Sequence, residues 1–326
     1  MTHKTARSHL LVCLFLLLVT SPELAAHELD GDWSLQLESA TPGWMSIRDV
    51  DKNPTVRLRL HVGPDGPHKD AKFSNGRLTF ELRQNRKANG RKTVELGIDR
   101  NGKLKGVIIS TSKDGSVAHD PFTGKKIPPM PKRPDLTKVR FGHPISLFNG
   151  KDLTGWQPHE KDKINGWSVK DGLLVNSTPK TDFSATGAYA NLRTKAVFED
   201  FWLHIEFLVE KDRNSGVYLR GMYEAQVVDR DSRMQGKQGV GAIFGVIAPS
   251  KNVGRPGGQW QTYDLTLVDR HITVVLNGVK VIDNQPVPAP TGGAVFTDPI
   301  SPGPIHLQGD HTSVKYRNIY LEPVVE

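Results

Sequence analysis

Between Asn214 and Asp229 the chain reads NSGVYLRGMYEAQVVD, and it is here that side chains able to do chemistry are most tightly grouped. A strand-like run, Val217 to Arg220, turns at Gly221 into a second run, Tyr223 to Asp229. Successive strand side chains point to opposite faces, so Glu224, Gln226 and Val228 share one face. Glu224 and Gln226 would then stand about 6.6 Å apart along the strand, close enough to hold one polar ligand between them. A buried strand carries a carboxylate and an amide only where those groups have partners. The pair therefore reads as the floor of a binding site. On a face lined by rings, Glu224 would be partly desolvated and its pKa raised toward a range useful for proton transfer. Arg220 could pair with Glu224 as a structural ion or, with Gln226, donate hydrogen bonds to a ligand.

Further candidates lie downstream and upstream. His204 and Glu206 alternate with Leu203, Ile205 and Phe207, so they share a face that is either a concave floor or a solvated exterior. His306 and Gln308 share a face, and Asp310 and His311 follow in a loop, where reactive groups often sit. His311 is an alternative acid–base because imidazole titrates near neutrality. Trp260 and Tyr263 could stack on a ring-shaped ligand or belong to the core. His204/Glu206 and Asp310/His311 do not reach the spacing of a zinc signature, and no cofactor is implied. A structural calcium is the divalent ion such a fold could accommodate.

The elements that must position these groups are strands and turns. After a basic start at Lys4 and Arg7, Leu10 to Val19 forms an apolar core of secretory length, with Leu24-Ala25-Ala26 as a cleavage site before His27. Residues 1–26 are thus expected to be an export leader, giving a secreted or periplasmic protein. The apolar run is too short to span a bilayer. The single cysteine, Cys13, lies inside it, which excludes a disulfide framework and thiolate chemistry in the mature chain.

Residues 27–127 read as short strands, Trp33–Leu37, Val56–Val62, Leu78–Arg83, Thr93–Ile98 and Leu104–Ser110, between the turn signals Gly63-Pro64-Asp65-Gly66, Ser74-Asn75-Gly76, Asn89-Gly90 and Asn101-Gly102. A small antiparallel β-barrel or sandwich is expected, and the opening Gly31-Asp32-Trp33 resembles the start of lipocalin-like barrels. Prolines 128, 129, 131 and 134 mark a stiff linker over residues 128–139. Residues 140–326 are again strand and turn, with Asn277-Gly278 as a hairpin turn, and suit a two-sheet jelly-roll sandwich of concanavalin A-like shape. Residues 27–140 hold 22 basic and 14 acidic side chains, against 19 and 20 in 141–326. The basic part could touch an anionic surface, although alternation with apolar residues fits a half-exposed sheet. No nucleic-acid motif accompanies it.

Six blocks of the second half occur in an order that resembles the 3-keto-disaccharide hydrolase family over residues 140–326. They are Leu147 to Trp156, Asn214 to Val217, Tyr223 to Asp229, Pro256 to Asp264, Leu276 to Val279, and Leu307 through Ile319. The resemblance implies a jelly roll and cleavage of glycosides whose ring is already oxidised at C3. In that chemistry a base takes the C2 hydrogen, the enolate expels the C1 substituent, and water adds back. Glu224 would be base or proton shuttle, with His311 or Asp229 in reserve and Arg220, Gln226, Gln308, Glu206, His204, Trp260, Tyr263 and Asp310 binding an oligosaccharide or glycoside substrate. One departure is Gln259, where the family more often has Glu, which would weaken catalysis if that carboxylate matters.

Two other functions are compatible with the residues. A lectin-like module would bind glycan without turnover. A retaining glycosidase is suggested because Glu224-x-Gln226-x-x-Asp229 resembles the Glu-x-Asp-x-x-Glu strand of laminarinase-type enzymes, with an amide at the centre.

Overall fold

The computed structural model describes residues 22–60, 66–82, 90–181 and 184–325. The expected leader core, Leu10–Val19, lies outside these residues, as do Gly63-Pro64-Asp65 and Asn89 of the expected turns. Among the described residues, no helix is long and apolar enough to cross a membrane.

The protein is all-β, as expected. The first eight strands form one antiparallel sheet in the order Thr55–Leu60, Pro42–Arg48, Gly31–Leu37, Val117–Ile127, Leu104–Thr111, Arg91–Ile98, Arg77–Glu81, Lys72–Ser74. Neighbours are consecutive in the chain except where Gly31–Leu37 meets Val117–Ile127, the pairing that curls the meander round. Among the described residues, the edge strand Thr55–Leu60 makes an isolated antiparallel bridge, Val56 to His68, with the segment that leads into the other edge strand, Lys72–Ser74. Trp33, Leu35, Met45, Val56, Leu78, Val94, Leu104 and Phe122 converge on one core, so the sheet wraps around itself as a small barrel rather than stacking as a sandwich. A short helix, Pro22–Leu29, crosses the boundary expected at residue 26. Ala26 and Leu29 enter the barrel core, and the Trp33 indole donates to Leu29 O at 3.0 Å.

The second half is a sandwich of two antiparallel sheets. The smaller runs Trp156–Pro158, Leu192–Thr194, His306–Leu307, Asn214–Leu219, Tyr223–Val228. The larger runs Trp167–Lys170, Leu173–Asn176, Val314–Pro323, Phe201–Val209, Gln261–Val268, His271–Leu276, Val279–Pro286, with Ile145–Ser146 added beside Val314–Pro323. Period-two burial along Phe201–Val209 sends Leu203, Ile205 and Phe207 inward and Trp202, His204 and Glu206 outward. Facing them across the core are Val217, Leu219, Ala225, Val227 and Leu307 of the smaller sheet. The opposite side of that smaller sheet is where the polar side chains collect.

Barrel and sandwich touch through named contacts. Arg59 donates to Pro290 O at 2.8 Å, Ser34 and Thr297 hydroxyls lie 3.0 Å apart, and Lys125 pairs with Asp298 at 2.8 Å. Near the proline segment, Arg270 donates to Pro128 O and Asn284 to Pro134 O. Part of the barrel's basic excess is therefore spent inside the molecule.

Candidate active site

The hairpin Asn214–Val228 sets the site. Arg220 and Gly221 both have positive φ, 55° and 65°, and Met222 N–H returns to Leu219 O at 3.0 Å, the tight turn that matches strand twist. With that turn fixed, Tyr218 lies directly opposite Glu224 and Gly216 opposite Gln226. The next strand places His306 beside Tyr218, and the one beyond places Arg193 beside His306. Because directly paired residues share a face, Arg193, His306, Gln308, Tyr218, Glu224 and Gln226 all leave the sheet on the side away from the core.

Gly216 makes the room. A methyl group there would collide with the Glu224 carboxylate, with Cγ of that side chain only 2.8 Å away. The carboxyl lies over bare backbone as a result. Burial pushes the Glu224 pKa up to about 8; the Tyr218 hydrogen bond pulls it down and the nearby Asp310 charge pushes it up. Tyr218 is itself held neutral, its pKa raised by burial and then by Glu224. The phenol has one proton and two acceptors: Gly292 O at 3.0 Å and the Glu224 carboxylate. Gln308 Nε2 donates to the phenol oxygen at 3.3 Å. The rings of Tyr218 and His306 meet edge to face at 5.0 Å, and those of His306 and His159 at 5.6 Å.

A loop roofs the inner end of this face. Thr291 accepts from Glu224 N–H at 3.0 Å and donates to Met222 O, while Val295 N–H bonds Gly221 O. Glu224 and Gln226 are consequently almost inaccessible, whereas Gln157, His159 and Arg193 are only half-buried. The Gln157 amide lies 2.8 Å from the Arg193 guanidinium. The face thus runs from a closed acid at one end to open cationic and amide groups at the other. It offers hydrogen bonds for several hydroxyls and one titrating carboxyl for a proton.

The sequence candidates divide sharply. Glu224, Gln226 and Gln308 share the face, as the strand period requires. Among the described residues, the carbonyl oxygen of the Gln226 amide has no hydrogen-bond partner, its nitrogen donating to Gln238 O, and neither has the same oxygen on Gln308. Asp310 is within electrostatic reach of Glu224, and His311 Nδ1 lies 2.6 Å from Asp310 Oδ1 on the adjoining loop.

Arg220 is elsewhere. Its guanidinium donates to Pro299 O and Ser301 O, both at 2.7 Å, and faces Asp200 at 3.8 Å, so it neither pairs with Glu224 nor points at a ligand. Those bonds hold a side chain whose own backbone is left-handed, a conformation costing about 1–2 kcal/mol. Asp229 is capped: its carboxylate accepts backbone N–H groups of Asp212, Asp231 and Gly257. It closes loops.

His204 and Glu206 occupy the outer surface of the larger sheet, with the whole core between them and Glu224. His204 Nδ1 lies 2.7 Å from Asp264 and its ring stacks on Tyr320 at 4.7 Å. Glu206 accepts from Arg317 and Asn318; burial would raise its pKa, but these bonds outweigh it and hold the pKa below its ordinary value. Trp260 lies under Arg317 on the same exterior, 4.0 Å from the guanidinium carbon. Tyr263 is a fully buried core residue whose phenol joins the two sheets, donating to Gln226 O and accepting from Gly241 N–H. Gln259 is exposed in the turn that follows Pro256, with its N–H on Pro256 O.

Tyr218, Arg193, His159, Gln157 and Thr291 were not among the sequence candidates. Tyr218 was not fixed by the turn dipeptide alone: a two-residue turn at Arg220-Gly221 would set residue 218 against 223, and the extra turn residue Met222 moves the register to 218 against 224. The others arrive from strands and a loop distant in sequence. Among the described residues no group of three or more His, Cys, Asp or Glu side chains is placed to hold a metal ion.

Comparison with known proteins agrees with the sequence resemblance. The family model of the 3-keto-alpha-glucoside-1,2-lyase-like domain matches residues 143–322. A 3-keto-disaccharide hydrolase of Bacteroides thetaiotaomicron is 24% identical over 143 residues, 36% of this chain and 49% of that protein. The chain thus spans about half the length of this curated relative. A candidate glycosyl hydrolase from Parabacteroides distasonis is 21% identical with a TM-score of 0.45, covering 56% of this chain and 94% of its own. A second structure so described from that organism is 27% identical with a TM-score of 0.42, covering 60% and 93%.

Proposed function

Because the chain belongs to the 3-keto-alpha-glucoside-1,2-lyase-like family over residues 143–322, we propose that it cleaves glycosides already oxidised at C3. The observation that carries this reading is one buried carboxyl with a pKa of about 8, set against a neutral phenol and an amide donor.

A C3 ketone acidifies the C2 hydrogen. Ionised Glu224 accepts that proton, and the electron pair moves to the ketone oxygen as an enolate. Tyr218 O–H and the Gln308 amide are the donors for that oxygen. Tyr218 can leave Gly292 O to serve it, since the same phenol already has a choice of acceptors. As the enolate reforms the ketone, the C1–O bond breaks. Glu224, now protonated, returns its proton to the departing oxygen. Water then adds across C1 and C2. A group that both takes and gives a proton works best with a pKa near working pH, which an ordinary carboxylate does not have. Arg193 and Gln157, at the open end, bind sugar hydroxyls.

Direct hydrolysis is the second reading, and Asp310 is what favours it, as the other carboxylate near Glu224. Paired-acid hydrolysis needs defined separations and two distinct carboxylate roles. The strand itself supplies one acid, since Gln226 is an amide and Asp229 is capped. We further infer action outside the cytoplasm, on the strength of the basic and apolar residues 4–26. Incubation of purified protein with a 3-keto disaccharide and with its unoxidised parent separates the readings by chromatography of released monosaccharide. Cleavage of the keto sugar alone supports the elimination; cleavage of both points to hydrolysis, and cleavage of neither to a binding module.

A further inference from the structure

The barrel is joined to the sandwich at the loop that roofs Glu224. Three consecutive residues there face three different ways. Pro290 O accepts from Arg59 of the barrel at 2.8 Å. Thr291 Oγ1 accepts from Glu224 N–H at 3.0 Å, and Gly292 O accepts from the Tyr218 phenol at 3.0 Å. Gly293, at φ 77°, lies so close to that phenol that a Cβ would stand 2.5 Å from its oxygen. Farther along, Thr297 meets Ser34 and Asp298 meets Lys125, again from the barrel. The inner side of the same segment is held by Arg220 through Pro299 O and Ser301 O.

The barrel surface that makes these contacts is specialised. Ser34, Trp44 and Arg59 are register partners across three adjacent strands, so they share the outer face of the sheet. Trp44 is 3% exposed, yet it belongs to neither hydrophobic core. An outward-facing tryptophan is hidden in that way only where another surface covers it, and here the bonds on either side of it lead to residues 290 and 297.

The geometry points to the barrel as a working part of the active site: Arg59 is a positioning residue that, through Pro290, fixes the loop holding Glu224 and Tyr218. This deepens the keto-glycoside reading and rests on it for the identity of the reaction. Release of Pro290 would let Thr291 and Gly292 drift, admit water above Glu224 and free the phenol from its carbonyl. The groups that act on Glu224 are Tyr218 from its partner strand and Asp310 from the neighbouring loop, while the Tyr263 and Tyr316 phenols of the larger sheet feel its charge from the core side. None of these is on the barrel, so an effect of Arg59 on Glu224 must travel through the loop.

The test uses the full chain and two readouts, one independent of substrate. Titration of Glu224 is followed by the carboxyl carbon resonance that is missing in Glu224→Gln, and turnover of a 3-keto disaccharide is followed across pH. Arg59→Ala is expected to lower the Glu224 titration midpoint by about half a unit or more, as water relieves its desolvation, and to cut kcat roughly tenfold through lost positioning. Arg59→Lys, which returns a donor to Pro290, should restore most of both. An unchanged midpoint and unchanged kcat in folded Arg59→Ala overturn the inference. If that variant does not fold, Ser34→Ala combined with Lys125→Ala carries the same comparison, with a shifted midpoint supporting the brace and an unshifted one overturning it. A wild-type protein that turns over no keto sugar, but whose midpoint moves in Arg59→Ala, sinks the proposed reaction and leaves the brace standing.

Discussion

Glu224 and Tyr218 stand directly opposite each other on two paired strands, and the phenol's single proton is contested by the Glu224 carboxylate and Gly292 O. This makes the charge on Glu224 and the direction of the Tyr218 hydroxyl one coupled state. When the carboxyl is neutral the phenol bonds the roof; when it ionises the phenol turns toward it. Burial raises the acid by more than the phenol lowers it, so both states are accessible near neutral pH.

Glu224→Gln should abolish turnover and stabilise the protein at alkaline pH. The folded pKa of about 8 lies above an unfolded value of about 4.3. The native state therefore holds a proton that the unfolded chain releases, and the stability it confers is full below pH 4.3 and lost as pH rises to 8. Relative to the glutamine variant, the wild type should lose on the order of 5 kcal/mol across that window and nothing further above it. Urea unfolding of both proteins at several pH values between 4 and 9 measures the difference. Parallel curves would place the Glu224 pKa near that of an exposed carboxylate and remove it as a shuttle.

Tyr218→Phe should move the pH–rate profile as well as its height. In the wild type kcat/KM should climb about tenfold per pH unit and level near pH 8, where the base is ionised. The phenol is the group that lowers the Glu224 pKa, so its loss should carry the rising limb to more alkaline pH. Loss of a donor to the enolate should reduce kcat by roughly 10²–10³-fold. Stability should fall by about 1–3 kcal/mol, because the buried Gly292 carbonyl and Gln308 amide lose a partner. A reduced kcat with an unmoved limb would separate the phenol from the titration of Glu224.

The exterior cluster offers a contrasting case. His204→Ala and Glu206→Gln remove groups on the far side of the core from Glu224. Each should leave kcat and KM within about twofold and cost about 1 kcal/mol or less, the usual worth of half-exposed ion pairs. Steady-state kinetics with thermal unfolding checks both values. A large rise in KM would return these residues to the binding surface.

Which parts of this site could be read from the sequence follows from how each residue is fixed. Strand alternation alone put Glu224 beside Gln226, and a turn at Gly221 bounded the hairpin. Alternation also grouped His204 with Glu206 but could not say whether their face was concave, because that depends on which side of the larger sheet receives the smaller one. Arg220 looked like a ligand donor because its type suits one; its left-handed backbone and its carbonyl partners at 299 and 301 are tertiary facts. In the barrel, the strands Pro42–Arg48 and Val117–Ile127 went unseen because Pro42, Pro121 and Gly124 read as breakers. Pro121 is tolerated because Gly31–Leu37 stops pairing at Phe122, leaving Pro121 O to accept Glu38 N–H beyond the strand's end. The roof at Thr291 and its brace at Arg59 are separated by more than two hundred residues, and no local pattern connects them.

Asp229 decides between strand-borne acids and the lone carboxyl. Its two oxygens receive backbone N–H groups from Asp212 at 2.9 Å, Gly257 at 3.0 Å and Asp231 at 3.2 Å. Asp229→Ala strands three donors at a buried junction of loops, which should cost about 3 kcal/mol or more. If the side chain only ties these loops, kcat of the folded fraction at low temperature should remain within a few-fold of wild type. If instead Asp229 is the second acid of a double displacement, kcat should drop by a factor of about 10³ or more with the fold intact. Because stability and kcat would then fail separately, one variant measured by unfolding and by turnover discriminates the two roles. The capped geometry predicts loss of stability with turnover retained.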